Sequence, residues 1–352
     1  MVSCRDRYFW RIATITELPP LVCPPEGLPP LGVDRGRNRF EVIVGVILGG
    51  TLGFLIIRAG RNVLEFDLLF IVAWLTATAL HEIGHAAAGY ARGFRVISIY
   101  VGPVFVTRRA RGGFRLGLRL VPFGGRVVAA LMHWDGPERF RQDALWFVGA
   151  GPGISLAAGA VGLLLSPRLT LIWDWSVISL VMGAVTLIPA RYRNGRTSDG
   201  EKLLRLRESG PTDLAVMALG MMMLIIRPRD WDLALVAVAR GESDSQGRDA
   251  IDATKLSYYR ALDSGDVVEA GALLQRLIDY TCGTARWPRT TISREVAFEA
   301  ALFEGVWRGD RAAEQEWLAR APRGKRKPAT LLSNATAWHR ATFERLSSSS
   351  SS

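Results

Sequence analysis

Leu80-His81-Glu82-Ile83-Gly84-His85 lies near the end of an apolar run over residues 68–90. A helix needs about 20 apolar residues to cross the hydrocarbon of a bilayer, and this run supplies them. Three ionisable side chains therefore stand where such groups are expensive and rarely tolerated without a function. Positions i and i+4 of a helix point the same way about 6 Å apart, so the imidazoles of His81 and His85 can reach one zinc ion. Glu82 projects beside them, where it can take a proton from water. A polar cluster that only joins helices is the plainer account, but three ionisable groups in five residues exceed what helix contacts require. Two of the chain's four histidines are in this pentapeptide.

Outward from it, three more apolar blocks approach the same length, over 42–57, 144–165 and 169–190. The first is slightly short and rich in glycine. Basic residues fall between the blocks. Arg35, Arg37 and Arg39 precede the first, ten arginines from Arg92 to Arg141 separate the second from the third, and Arg191, Arg193, Arg196, Lys202, Arg205 and Arg207 follow the fourth. The two remaining loops carry only Arg58 and Arg61, then Arg168. The positive-inside rule then places both termini and residues 91–142 on the cytoplasmic side of the cell membrane, with four crossings. The apolar run 214–226 is too short for a comfortable span and reads as a buried or interfacial helix.

Composition agrees. The 352 residues are 49% hydrophobic and carry a net charge of +11, with basic residues set between apolar blocks. That is a membrane pattern before it is a nucleic-acid pattern, and no nucleic-acid partner is expected. Cys4, Cys23 and Cys282 are scattered and odd in number, which gives no disulfide framework. The first forty residues are charged and proline-rich, unlike a cleavable signal peptide. Four segments follow: a basic, Pro-rich stretch at 1–40, a membrane core at 41–210, a helical region at 211–346 and a serine tail at 347–352.

The helical region contains a weak internal repeat. Leu262-Asp263-Ser264-Gly265-Asp266 recurs as Val306-Trp307-Arg308-Gly309-Asp310, an offset of 44 residues. In each copy a helix is expected to end at the glycine and a second to begin at the aspartate, whose carboxylate accepts from free backbone amides. This resembles helical hairpins of the tetratricopeptide sort. Residues 230–346 are thus either a bundle that packs on itself or a surface for a protein partner.

Catalytic zinc generally has three protein ligands and leaves a fourth position to water. His133 is one candidate for the third, but it sits in a polar stretch beside Asp135 and Glu138. Asp174 lies early in the fourth block, remote from His81 and His85 by helical rise. Asp199, in Thr197-Ser198-Asp199-Gly200, follows the fourth block and is the better candidate. The glycine after it permits a sharp turn that would aim the carboxylate inward.

Taken together these residues resemble the site-2 protease family of intramembrane zinc metalloproteases, over roughly residues 40–205. The HExxH at His81–His85 lies in an apolar helix. Val121-Pro122-Phe123-Gly124-Gly125 resembles the family's Pro-x-Gly-Gly element, and Gly149-Ala150-Gly151-Pro152-Gly153 its glycine-proline motif. Leu187-Ile188-Pro189 with Asp199-Gly200 resembles the Asn-x-x-Pro and Asp-Gly pair. Thr186 stands where the family commonly has Asn, and ten positions separate Pro189 from Asp199, as in a longer-loop branch.

The resemblance implies zinc held by His81, His85 and Asp199, with Glu82 as the general base. It also implies substrate contacts at Thr186, Gly124 and Gly125, and a membrane-anchored protein as substrate. Alternation over 113–121 suggests an edge strand at the membrane surface, of the kind that in the family pairs with an unwound substrate. The expected fold is mainly α and multi-pass. It has about four transmembrane helices, a small membrane-associated β element at about 95–130 and a cytoplasmic helical-hairpin C-terminal region. The competing expectation is a catalytically inactive, metal-binding scaffold that acts through its helical region. A transporter would show inverted repeats with paired broken helices, and the sequence has none.

Overall fold

The computed structural model describes residues 21, 63–109, 112–119, 124–165, 170–191, 197–240, 248–283 and 292–320. The apolar block at 42–57, Val121 to Phe123, the segment 192–196 and the serine tail lie outside the described residues. The chain divides into two compact units, Arg35–Leu214 and a second made of Ala215–Ser352 with Met1–Asp34.

In the first unit, helix α1, Val63–Ala91, carries the HExxH. Its buried residues, Ala77, Thr78, His81, Glu82, Gly84, His85 and Gly89, recur at helical spacing, while Ile71, Val72 and Ile83 are exposed. The polar groups thus face inward and the aliphatic ones outward, the reverse of a helix in water. Gly93, at φ +81°, ends the helix in a conformation that only glycine adopts without strain.

A four-stranded antiparallel sheet follows, in the order β3-β2-β1-β4. Its strands are β1, Arg95–Val101, β2, Val104–Arg108, β3, Phe114–Leu118, and β4, Gly125–Ala130. The first two form a tight hairpin in which Val101 pairs with Val104, with Gly102 at φ +51° in the turn. The strand expected over 113–121 is β3, at one edge. It is paired with β2 and largely exposed, with Phe114, Leu116 and Leu118 each at least 70% accessible. The other edge is β4, whose pairing with β1 shifts between Val96 and Ser98.

Helix α2, Pro137–Leu165, packs on α1 and on α3, Thr170–Leu187. Among the described residues α2 is the one helix long and apolar enough by itself to cross a bilayer. Its buried stripe is largely small: Gly151, Pro152, Ser155, Gly159 and Gly162. A Cβ on Gly159 would meet the Ser176 carbonyl at 2.7 Å, and one on Gly162 would meet Ser176 Oγ at 2.1 Å. On α1, a Cβ on Gly84 would meet Ile154 Cγ2 at 2.6 Å. Missing side chains, rather than interdigitated large ones, set how closely these helices approach. At one end of the pair, Arg92 lies 3.4 Å from Asp143 and over the ring of Trp146, and Arg139 lies 2.8 Å from Asp143. Helix α4, Asp199–Glu208, closes the unit, capped by Ser198, which accepts from the Glu201 amide.

The expected short helix at 214–226 runs earlier, as α5, Pro211–Met222, with Leu214, Ala215, Ala218 and Leu219 buried. Pro211 at its start and Asp213 in its first turn favour this earlier beginning.

The second unit continues with α6, Leu233–Arg240, α7, Arg248–Ser264, α8, Val267–Gly283, and α9, Ile292–Leu302. A π-helical turn, Phe303–Trp307, and α10, Arg311–Arg320, follow. Its core is large and apolar, with Tyr258, Leu262, Leu274, Ile278, Phe303, Trp307 and Trp317 buried. Gly265 and Gly309, the repeated glycines, have φ +82° and +72°. The repeated aspartates cap the following helices: Asp266 Oδ1 accepts from the Glu269 amide and Asp310 Oδ1 from the Ala313 amide. The copies differ at one point. The Asp266 amide donates to the Ala261 carbonyl five residues back, whereas the Asp310 amide donates to the Glu304 carbonyl six back. The π turn absorbs that extra residue.

Candidate metal centre

Three side chains from two elements converge in the first unit. His81 Nε2 lies 3.1 Å from Asp199 Oδ2, His85 Nε2 lies 3.4 Å from the same oxygen, and the two Nε2 atoms are 3.2 Å apart. All three residues are buried. Tetrahedral zinc, with bonds of about 2.0–2.1 Å, holds its ligand atoms about 3.3 Å apart, so this triangle fits one face of the tetrahedron.

The remaining atom of each group is held from behind. His85 Nδ1 donates to the Phe147 carbonyl at 2.8 Å. A carbonyl can only accept, so Nδ1 carries a proton and Nε2 is the atom turned toward Asp199. His81 Nδ1 lies 3.0 Å from Ser155 Oγ. Asp199 Oδ1 accepts from Lys202 Nζ at 2.9 Å, which leaves Oδ2 for the histidines. Burial alone would raise the Asp199 carboxyl, but hydrogen bonds from His81 and His85, with Lys202 nearby, bring it well below the usual carboxylate range.

Glu82 is buried and lines the same cavity of about 610 Å³ as the three ligand candidates. A Cβ on Gly125 would lie 2.0 Å from Glu82 Oε1, so the carboxylate occupies space that any other residue there would fill. Gly151 gives His85 the same room, because its Cβ would lie 2.2 Å from Nε2. Gly200 acts differently from the sequence expectation. It is helical rather than a sharp turn, and its Cβ would meet the Leu187 carbonyl at 1.9 Å. Absence of a side chain lets the start of α4 sit against the end of α3, and this carries Asp199 to the histidines.

The long connection before Asp199 is tied at its neck. Arg191 and Thr197 form an antiparallel bridge, the Ser198 amide donates to the Ala190 carbonyl, and Ser198 Oγ donates to the Ile188 carbonyl at 2.7 Å. These bonds hold the two ends of the connection together immediately before Asp199. Thr186 lines the cavity with its hydroxyl donating to the Gly183 carbonyl of its own helix, and Gly124 lines it as well. His133 is exposed and lies outside the cluster, and Asp174 is likewise not among the three converging groups.

Ser155, the Phe147 carbonyl and Lys202 were not anticipated from the sequence. Ser155 carried a signal, a polar residue in an apolar block; a backbone carbonyl carries none. Arg119 was also missed. Its side chain donates to the Gly102 carbonyl at 2.8 Å and to the Gly124 carbonyl at 3.4 Å, and it stacks on Tyr100, which ties Gly124, the neighbour of Gly125, to the turn between β1 and β2.

Two imidazoles and a carboxylate facing one point, with a second carboxylate free to handle a water proton, are what a metallopeptidase centre requires. The sequence comparison makes that class specific. The model of peptidase family M50 matches residues 69–327, and the chain belongs to that family of zinc metalloproteases. The match runs from α1 through α10, well past the residues 40–205 that carried the resemblance. No curated protein and no solved structure matches the chain.

Proposed function

We propose that this chain is an intramembrane zinc metalloendopeptidase that cuts membrane-embedded or membrane-proximal proteins near the cytoplasmic face. In this reading it crosses the cell membrane several times, with both termini cytoplasmic. His81, His85 and Asp199 hold Zn²⁺, and Glu82 is the catalytic base. The observation that carries the proposal is the triangle of Nε2, Nε2 and Oδ2 atoms at 3.1–3.4 Å, with Glu82 in the same buried cavity.

Zinc bound there would polarise the scissile carbonyl and lower the pKa of the attacking water. Glu82 takes the water proton and returns it to the leaving amine. Phe147 and Ser155 keep the imidazoles aimed, and Lys202 keeps Asp199 from swinging away. A transmembrane substrate has its carbonyls bonded within its own helix, so it must unwind before attack. The strand that presents it is β4 rather than β3. Both lie at sheet edges, but the first residue of β4 abuts Glu82. A substrate strand added along β4 passes Glu82 with its backbone extended, with Gly124, Gly125 and Thr186 lining its path.

The test is the metal content of detergent-purified protein, followed by cleavage of a membrane-anchored reporter. One zinc per wild-type chain, lost in His85→Ala and in Asp199→Ala, is the expected result. Zinc retained in Asp199→Ala would remove that residue from the ligand set.

A further inference from the structure

The second unit contains a buried carboxylate that the peptidase reading does not use. Glu304 is 1% exposed, in the π turn that distinguishes the second repeat copy from the first. Its Oε2 accepts from Arg308 Nη1 at 2.9 Å, which supplies the counter-charge that a buried carboxylate needs. Its Oε1 accepts from the backbone amide of Leu21 at 2.9 Å, 283 residues away in sequence. The Leu21 side chain packs against the apolar cluster built from α7 to α10.

We infer that the C-terminal helical unit is a receptor for a leucine-bearing segment that offers a free backbone amide, and that its occupant is the chain's own N-terminal region at Leu21. Three features converge on this. A one-residue insertion forms the π turn, a device that commonly marks functional positions in helices. The carboxylate oxygen left over by Arg308 needs a donor at a depth water does not reach, and an incoming backbone amide is a donor that any extended chain offers. The occupant's sequence suits the site: Pro19 and Pro20 have no N–H, so Leu21 brings the first amide after them, and Pro24 and Pro25 follow. A segment so rich in proline has little conformational freedom to lose on being bound.

The clasp has a topological consequence. Leu21 and the helical unit must lie on one face of the membrane, so the chain crosses an even number of times between Leu21 and α6. Four crossings satisfy this and a fifth at α5 does not.

The experiment uses the full-length protein in membranes with a photoreactive diazirine analogue of leucine at position 21. Irradiation is followed by peptide mapping of a mixture of isotopically light and heavy chains. The expected adducts lie within residues 251–317 of the same chain. In Glu304→Gln their yield falls on the order of tenfold, because a neutral amide oxygen replaces the charged acceptor of the Leu21 amide. Adducts between light and heavy chains, adducts only in residues 63–208, or no adduct would each overturn the clasp. Because Glu304→Gln could disturb the helices, hydrogen exchange in Leu21→Asp provides a second reading. The amides of residues 303–307 exchange on the order of tenfold faster than in wild type while those of α8 are unchanged. Equal rates at 303–307 would overturn the clasp whatever the behaviour of Glu304→Gln.

Discussion

Helices α1 and α8 lie in different units of one chain and reverse each other's logic. In α1 the buried face carries His81, Glu82 and His85, and the exposed face carries Ile71, Val72 and Ile83. In α8 the buried face carries Val267, Ala270, Leu274, Leu277 and Ile278, while the charged Arg276 and Asp279 are exposed. The core of the second unit is held by large side chains excluded from water. The first unit instead hides its polar groups and brings helices together by omitting side chains at Gly84, Gly159 and Gly162. On the proposed reading each arrangement suits one solvent, hydrocarbon for the first unit and water for the second.

The largest expected effect separates chemistry from scaffolding. Glu82→Gln keeps the shape of the side chain and removes the base, so cleavage of a membrane-anchored reporter falls by about 10²–10⁴-fold. Zinc content stays at the wild-type level. Unchanged cleavage would take Glu82 out of the mechanism. The matching change in the second unit is Leu262→Ala, at a fully buried leucine of α7. It costs about 2–5 kcal/mol of stability in that unit, measured by hydrogen exchange of α7 and α8, with zinc content unaffected. Loss of zinc in that variant would mean that the units do not keep their roles separate.

A smaller effect tests the two solvents directly. Val72 is 52% exposed on α1 and Val268 is 57% exposed on α8. Aspartate at either position leaves buried contacts alone. At position 72 it faces hydrocarbon and costs about 2.5–3.5 kcal/mol, read as reduced membrane insertion. At position 268 it faces water, and stability moves by less than about 0.5 kcal/mol. Equal tolerance at both sites would put α1 in water and defeat the comparison.

How much of this was legible in the sequence depends on the range of the interaction. The spacing of His81, Glu82 and His85 is local, and so are the helix stops at Gly265 and Gly309 with their aspartate caps; each can be read within a few residues. The alternation that marked β3 as an edge strand is local too. Which edge meets Glu82 is not, because it depends on the sheet order that places β4 beside α1. The Asp-Gly pair shows the same limit. Its aspartate could be singled out by its place after the fourth apolar block. Its glycine looked like a turn, yet it is helical and answers to a carbonyl thirteen positions earlier, at Leu187. Motifs record which residues matter more readily than why.

Glycines carry the comparison to its finest grain. Gly151 in α2 and Gly271 in α8 are both inside helices, where alanine has the better propensity by about 1 kcal/mol. At Gly271 a Cβ would lie 3.2 Å from Phe303 Cζ, and a ring tip within a large apolar cluster can yield by a few tenths of an ångström. Propensity and crowding then roughly cancel, and Gly271→Ala leaves the unit's stability within about 0.5 kcal/mol of wild type. At Gly151 the same methyl would lie 2.2 Å from His85 Nε2. His85 is fixed from behind by the Phe147 carbonyl and cannot retreat without losing that bond. Gly151→Ala therefore lowers zinc affinity by about 10–100-fold, measured by competition with a chelator, while the helices stay folded. Unchanged affinity would show that His85 has room the structure does not give it, and would weaken its assignment as a ligand more sharply than any loss of activity could.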